Sequence, residues 1–450
     1  MLTYQDFLKE TENKGTEALM SFVTKAINEH RADPMVKTAL IADTYDAQQN
    51  DTIMKFSKIF YTMSGKPVVD TTASNNKIAS NFFHRLNVQR NTYLLGNGID
   101  FAETSTKDKL GNGFDLAFKK SGYNALIHGL TFVFWNYDRI YNFKLKEFKP
   151  LWDENDATLR AGIRFWKIAD NKPLNAVLYE EDGYTKMAEE SGKLTITQPK
   201  KAYITKVSHT ELDGDVVLAE FNYSALPIIP FWGSPLHQST LVGMRPNIDA
   251  YDLIKSGFAN DLDDVAQIYW ILTNSSGMDD GDLAQFRDRL RLTHIAKADR
   301  DQTATPYTQE IPTNARETLL TRIRNDLYED FGGLDVHTLQ AGATNDHIEA
   351  GYQPLDEEAD DFEFQCTDCI KQILALQGID DEPIYKRNRI SNQRETVDMV
   401  MAVAEYLDEE TVLRKLPFIT VDEVDEIMKR KSGEETALFN PQEPEAGDGE

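Results

Sequence analysis

Tyr251, Ile254, Phe258, Leu262, Val265, Tyr269 and Leu272 recur at spacings of three and four residues. That period places large apolar side chains on one stripe of a helix. With Pro246 suited to a first helical position, the pattern predicts one helix over 246–274, about 42 Å long at ~1.5 Å per residue. A second stripe, Leu320, Ile323, Leu327 and Phe331, follows Pro312 and predicts another helix over 312–331. Two such helices bracketing residues 275–311 should run antiparallel, as a stalk with a compact insert at its tip. Neither helix is apolar all round, so the stripe needs covering by neighbours, most simply by other copies of the same stalk.

The rest of the chain divides by pattern. Residues 1–60 read as helical, with Phe7, Leu8, Leu19, Phe22, Val23 and Ile27 at helical spacings. The echo "LGNGID" at 95–100 and "LGNGFD" at 110–115 reads as two tight turns, and a helix is expected from Phe114 to Leu130. The runs "TFVFWNY", "AGIRFWKI", "NAVLYE", "KLTITQ" and "DVVLAEFNY" read as antiparallel strands. The three prolines of "LPIIPFWGSP" read as a break in regularity and a crossing between domains. The fold class expected is α+β.

Charge and motifs exclude several chemistries. The 450 residues carry 74 acidic and 48 basic side chains, a formal net charge of −26, so a surface built generally to grip DNA phosphates is disfavoured. No apolar run approaches the ~20 residues of a membrane span, the start lacks a signal-peptide pattern, and two cysteines suit a reducing cytoplasm. There is no Walker loop: "SGKP" at 64–67 has Pro where Ser or Thr belongs. His-Glu-x-x-His and Gly-x-Ser-x-Gly are absent too. Cys366 and Cys369 have zinc-like spacing without a second pair, and read as packing thiols one helical turn apart. The acidic clusters at 260–264, 278–282 and 355–363 read as solvated helix faces, with magnesium-dependent nuclease chemistry as the alternative. Arg287, Arg289, Arg291, Lys297 and Arg300 make the insert locally basic, suited to contact with nucleic acid or a partner, or to a solvated surface strand. The Gly-rich stretch "DFGGLDVHTLQAGATNDHIEAGY", 330–352, looks like a phosphate cradle but has no lysine behind it.

The order of these segments resembles the portal proteins of tailed bacteriophages over roughly residues 85–430. "LPIIPFWGSPLHQSTLVGMRPNIDAYDLIKSGFANDLDDVAQIYWILTNSSG" is similar to that family's passage from wing to first stem helix, and "EIPTNARETLLTRIRNDLYEDFG" to the second stem helix. "LQAGATN" resembles the loop after it, and "YKRNRISNQRETVDMVMAVAEYLDEETVLRKLPFITVDEVDEI" the returning strand and crown helices. "NALIHGLTFVFWNYD" and "LRAGIRFWKI" resemble wing strands.

The resemblance implies an order of parts: lead-in and mixed α/β wing over 1–245, first stem helix 246–274, small α/β clip 275–311 and second stem helix 312–331. A tunnel loop over 332–345 would follow, then a long wing helix and returning strand to 392, crown helices 393–431 and a disordered acidic tail 432–450. It implies a ring, usually of twelve subunits, at one capsid vertex, threaded by double-stranded DNA during packaging and ejection. The partners would be other copies, major capsid and scaffolding proteins, the terminase large subunit and then a head-completion adaptor. No cofactor, metal or catalytic residue is implied, and no membrane; assembly would occur in the host cytoplasm and the product would be a virion component. His337, Gln340, Gly342, Thr344 and Asn345 would meet DNA, and Gly332, Gly333 and Gly342 would let the loop backbone shift. The five basic residues of the insert would meet clip partners. Phe258, Leu262, Val265, Tyr269, Leu320, Ile323 and Leu327 would pack the stem within or between subunits. Twelve copies at −26 each carry −312 formal charges, so a channel wall of that sign repels phosphates and DNA does not stick. A monomeric adaptor that binds proteins through its stalk is a third reading.

Overall fold

The structure is a computed structural model, and it describes residues 1–431 except for 63, 72, 211–213, 266–268, 274–278, 280, 283–284, 286–302, 308–312, 339–344, 390–392, 417–423 and 425–426. The chain opens with α1 (Tyr4–Thr11), α2 (Gly15–Ala32), α3 (Pro34–Asp46) and α4 (Asp51–Lys55). Thr3 and Asp6 form a reciprocal capping box at α1, and Asp33 caps α3 with Pro34 in its first turn. The hairpin β1 (Ile59–Tyr61) and β2 (Pro67–Val69) follows, then α5 (Phe82–Leu95), β3 (Ile99–Phe101), α6 (Thr104–Leu110) and α7 (Phe114–His128).

Strands β4 (Leu130–Asn136) and β5 (Arg139–Lys144) precede five consecutive antiparallel strands: β6 (Phe148–Trp152), β7 (Leu159–Trp166), β8 (Asn175–Glu180), β9 (Gly183–Glu190) and β10 (Lys193–Lys201). A separate hairpin, β11 (Ile204–Thr210) and β12 (Gly214–Phe221), leads to β13 (Ile228–Trp232), which pairs antiparallel with β4 as an edge of the sheet β13-β4-β5. The middle of "LPIIPFWGSP" is therefore a strand, Ile228–Trp232, and the break in regularity is confined to its two ends. Pro230 is tolerated because β13 has a neighbour on one side only.

Helix α8 spans Leu241–Val265, so it begins five residues before Pro246 and ends nine residues short of the expected boundary at 274. Pro246 lies inside it and gives up one bond near its start, where Val242 is exposed and water can serve the freed carbonyl. Tyr269 and Leu272 belong instead to β14 (Tyr269–Thr273), which pairs with β15 (Thr303–Tyr307) in register Tyr269↔Tyr307 and Thr273↔Thr303. The run Tyr-Trp-Ile-Leu-Thr favours a pleated strand, and its spacing of three is coincidental with the helical stripe.

Helix α9 (Thr313–Asp330) returns beside α8, and α10 (Asn345–Leu376), β16 (Pro383–Tyr385), α11 (Gln393–Val403) and α12 (Glu409–Lys415) complete the described elements. Strand β16 pairs with β3, which ties the C-terminal third of the chain back to residues 99–101. All sheets are antiparallel and the helices are segregated from them, so the α+β expectation holds.

Several cores are buried between these layers. Phe22, Val23, Ala26 and Ile27 of α2 cover Ile163, Phe165 and Leu178 of the five-stranded sheet. The sheet β13-β4-β5 meets α7 and α10 through Phe118, Phe231 and Phe362. Gly129 (φ +84°) turns α7 directly into β4, and a Cβ there would lie 2.5 Å from the Gln238 carbonyl carbon. A further core joins Leu241, Met244 and Ile248 of α8 to Ile323, Leu327 and Phe331, beneath α3 and α5.

Candidate functional site

The two helices of the stalk run antiparallel, as polar contacts at both ends show. Near the start of α8, Asn247 Nδ2 donates to Asp330 Oδ2 at 3.2 Å; near its end, Arg316 pairs with Asp261 at 2.5 Å. Ile323 and Leu327 are buried and Leu320 is half-buried. Phe258 is half-buried beneath the Arg316 guanidinium, whose carbon lies 5.8 Å from the ring centre. Leu262 is 53% exposed, so it is not buried among the described residues. The side chains of Val265 and Tyr269 lie outside the described residues, although their backbones do not.

Next to the apolar stripe is a polar one that the sequence reading missed. Asp252, Ser256 and Asn260, spaced four apart on α8, accept the backbone N–H groups of Ser80 (2.8 Å), Ile78 (3.0 Å) and Asn76 (2.6 Å), spaced two apart on an extended segment. Four helical residues rise about 6 Å and two extended residues about 6.6 Å, so the two ladders match in pitch. Asn50 Nδ2 also donates to Asp252 at 2.5 Å. Burial pushes the Asp252 carboxyl up, against the pull of these hydrogen bonds. The sequence signal was a four-residue polar repeat, legible only with its partner segment known.

The loop after α9 is fastened at its entry. Gly332 N donates to Glu329 O (3.1 Å) and Gly333 N to Tyr328 O (2.8 Å), with Gly332 at φ +63°, which is a Schellman cap. Added Cβ atoms would lie 2.6 Å from Glu358 Cγ at Gly332 and 2.5 Å from Leu86 Cδ2 at Gly333. Gly332 and Gly333 permit a close-packed helix end, and Gly342, expected with them to let the loop backbone shift, lies outside the described residues. From α5, Gln89 exchanges two hydrogen bonds with the Leu334 backbone (2.9 and 3.0 Å), and Arg90 Nη2 donates to Phe331 O at 2.6 Å. The Arg90 guanidinium is buried, 4.1 Å from the Phe331 ring centre, and pairs with Glu358 at 2.9 Å. Arg324 grips Asp335 through both carboxylate oxygens (2.6 and 2.8 Å) and holds its carboxyl below the ordinary range.

Beyond this anchor His337 is exposed, its backbone N–H bonded to Asp335, and Asn345 is the first residue of α10. Gln340, Gly342 and Thr344 lie outside the described residues, as do Arg287, Arg289, Arg291, Lys297 and Arg300 and the tail 432–450. His337 and Asn345 therefore flank residues 339–344 in sequence, and of Asn345 only the backbone is described.

Carboxylates that might suit a metal are otherwise engaged. In the cluster 355–363, Leu355, Ala359 and Phe362 are buried, whereas Asp356, Asp360 and Glu363 face Arg387 and Arg389. Tyr93 Oη also donates to Asp356 at 2.5 Å and accepts from Arg389 at 2.8 Å. Burial alone would raise the Asp356 carboxyl, but the bonds from Tyr93, Arg387 and Arg389 outweigh it and hold the group low. Among the described residues no three His, Cys, Asp or Glu side chains are grouped as a metal would need. Cys366 and Cys369 are fully buried on α10 among Phe362, Ile370 and Ile373, and burial pushes both thiols well up, as packing residues rather than reactive ones. No helix among the described residues is long and apolar enough to cross a membrane.

Comparison with known proteins converges with this geometry. The family described as phage portal protein, SPP1 Gp6-like, matches residues 39–437. The chain is 26% identical to the portal protein of Clostridium phage phiCD119 over 426 residues, 87% of this chain and 91% of that protein. It is 23% identical to the portal protein of Bacillus phage SPP1 over 460 residues, 92% of this chain and 86% of that one. With most of its length matched, a stalk of antiparallel helices and a fastened loop beyond it, the chain belongs to the family of phage portal proteins.

Proposed function

We propose that copies of this chain close into a ring, twelve in the usual arrangement of the family, through which double-stranded DNA enters and leaves the capsid. As a portal protein it is a structural component of the phage and not an enzyme. In this reading 275–311 forms the clip, which docks the terminase large subunit through Arg287, Arg289, Arg291, Lys297 and Arg300 and later a head-completion adaptor. The wing and crown meet major capsid and scaffolding proteins. The ring is assembled in the host cytoplasm and ends in the virion at one capsid vertex.

The connection from His337 to Asn345 is proposed as the element that meets passing DNA. The observation that carries this is the fastened entry: Gln89, Arg90 and Arg324 hold the loop's start, and the stretch from His337 to Asn345 contains Gln340, Thr344 and Asn345 and no lysine or arginine. Neutral polar groups exchange hydrogen bonds with phosphate at a small net value, about 0.5–1.5 kcal/mol each. Lysines repeated around a ring would act as a brake. Replacing Gln340 and Asn345 with Lys is therefore expected to leave assembly unchanged and to slow packaging, more so at low salt where attraction is least screened. A normal packaging rate at every salt concentration counts against a loop that meets DNA. Electron micrographs of the purified protein should show rings with a central hole. Magnesium-dependent DNA cleavage would favour the nuclease reading, and a monomeric mass by light scattering the adaptor reading.

A further inference from the structure

The hairpin β1–β2 stands apart from every core. It is a two-stranded sheet in register Ile59↔Val69 and Tyr61↔Pro67, and no third strand joins either edge among the described residues. Ile59, Phe60, Tyr61, Val68 and Val69 are between 40 and 71% exposed, and strand alternation puts the three most exposed, Ile59, Tyr61 and Val69, on one face. An isolated two-stranded hairpin is marginally stable in water at best, because it buries too little to offset its ordering. This one has apolar side chains turned outward on both faces, about half of whose surface is left uncovered among the described residues.

Both roots of the hairpin are nevertheless fixed to α8. On the N-terminal side Thr52 Oγ1 donates to Asp249 at 2.9 Å and Asn50 to Asp252. On the C-terminal side the segment 76–80 is laced along Asp252, Ser256 and Asn260. The hairpin is thus held out from a helix of the stalk at a set place.

We infer that this hairpin is an arm that lays its Ile59, Tyr61 and Val69 face on the next copy of the chain. The inference rests on the ring proposed above. Charge identifies the occupant: between Phe56 and Val69 there are two lysines, Lys58 and Lys66, and no Asp or Glu, while Lys55 at the root is paired with Asp51 at 3.0 Å, in a chain whose net charge is −26. Copies of so acidic a chain repel one another, and a net-positive projection is the part that another copy attracts. Area agrees. At ~200 Å² for a large side chain, the three residues of that face offer about 360 Å² of mostly apolar surface, somewhat under half of the ~800 Å² that each partner contributes to a stable interface. An arm on one copy that seats on a different surface of the next gives a head-to-tail contact, which closes into a ring instead of a symmetric pair.

The test compares full-length protein with the variant I59S/Y61S/V69S by native mass spectrometry and light scattering across a concentration series. Because these side chains are exposed, far-UV circular dichroism and the thermal midpoint of the dissociated variant should match those of the dissociated wild type. The expected result is a wild-type ring and a folded variant whose assembly requires at least 100-fold higher concentration. Lys66→Glu should weaken assembly in the same direction, more at low salt. A variant that assembles as the wild type does overturns the arm while leaving the ring intact. A wild type that stays monomeric at every concentration overturns the ring, and the arm with it. If the variant instead assembles normally but loses a protein captured by the wild type, the face serves a different partner and the inference is refuted.

Discussion

Replacing Arg90 with Met keeps a long side chain over Phe331 but removes the donor that holds the Phe331 carbonyl at 2.6 Å. That hydrogen bond is charge-assisted and buried, a class worth about 1.5–3 kcal/mol. Its loss is offset in part, because a guanidinium no longer has to be stripped of water, and because Met makes its own contact with an aromatic ring, about 0.3–1.5 kcal/mol. The lost pair with Glu358 adds little, since that carboxylate is 41% exposed and water can take over. The net cost should be about 2 kcal/mol, felt in opening of the loop entry before the whole fold. Hydrogen exchange by mass spectrometry should read it as a roughly 30-fold loss of protection, the equivalent of 2 kcal/mol, in peptides covering 328–336. The sheet β6–β10 should be unaffected. Loss of protection smaller than threefold would show that Gln89 and the Schellman cap hold the segment alone, and the reasoning from Arg90 would be refuted.

Two further outcomes follow from the hydrogen-bond networks. Asp252→Ala leaves the Ser80 N–H without its acceptor and Asn50 with one acceptor fewer; at about 1–3 kcal/mol for a buried unsatisfied group, the global stability should drop by about 2 kcal/mol, seen in urea denaturation, with faster exchange at 76–80. Asp356 is held low in the folded state, so its contribution is present above the unfolded carboxylate range, roughly pH 4, and disappears as pH falls through the lower folded value. Denaturation midpoints of an R387Q/R389Q double variant should therefore fall less steeply on acidification than those of the wild type, and parallel curves would refute that coupling.

Long-period patterns were legible because a helix repeats its signal over many residues. The bodies of α8 and α9 could be read from Tyr251, Ile254, Ile323 and Leu327, and the aromatic and β-branched runs gave β4, β7, β8, β10 and β12. Failures came where a short signal has two meanings. Tyr269 and Leu272 satisfy a helical stripe and a strand equally, and only pairing with 303–307 decides between them. Pro246 can open a helix or sit within its first turns, and Pro230 can break a strand or occupy an edge. At the glycine pair 332–333 the close packing comes from Leu86 and Glu358, which are far away in sequence. None of these partners is visible to a local window.

The same non-local pairing explains how so acidic a chain spends its cations. Arg90, Arg324, Arg387 and Arg389 each reach a carboxylate on a different element, and each therefore fixes the position of one helix or loop against another. Arginine suits this use because its planar fork can satisfy two oxygens at once and stays charged when partly buried. Each such pair takes one carboxylate with its cation, so the net charge of −26 is left to the rest of the molecule. In the proposed ring, a wall of that sign would let a polyanion pass, at the cost of making identical subunits repel. The positive stretch 56–69, fixed at both roots to α8, supplies the opposite sign where subunits would meet. In the proposed ring, repulsion of DNA and attraction between copies would be separate tasks carried by separate residues, and a substitution would be expected to alter either one without the other.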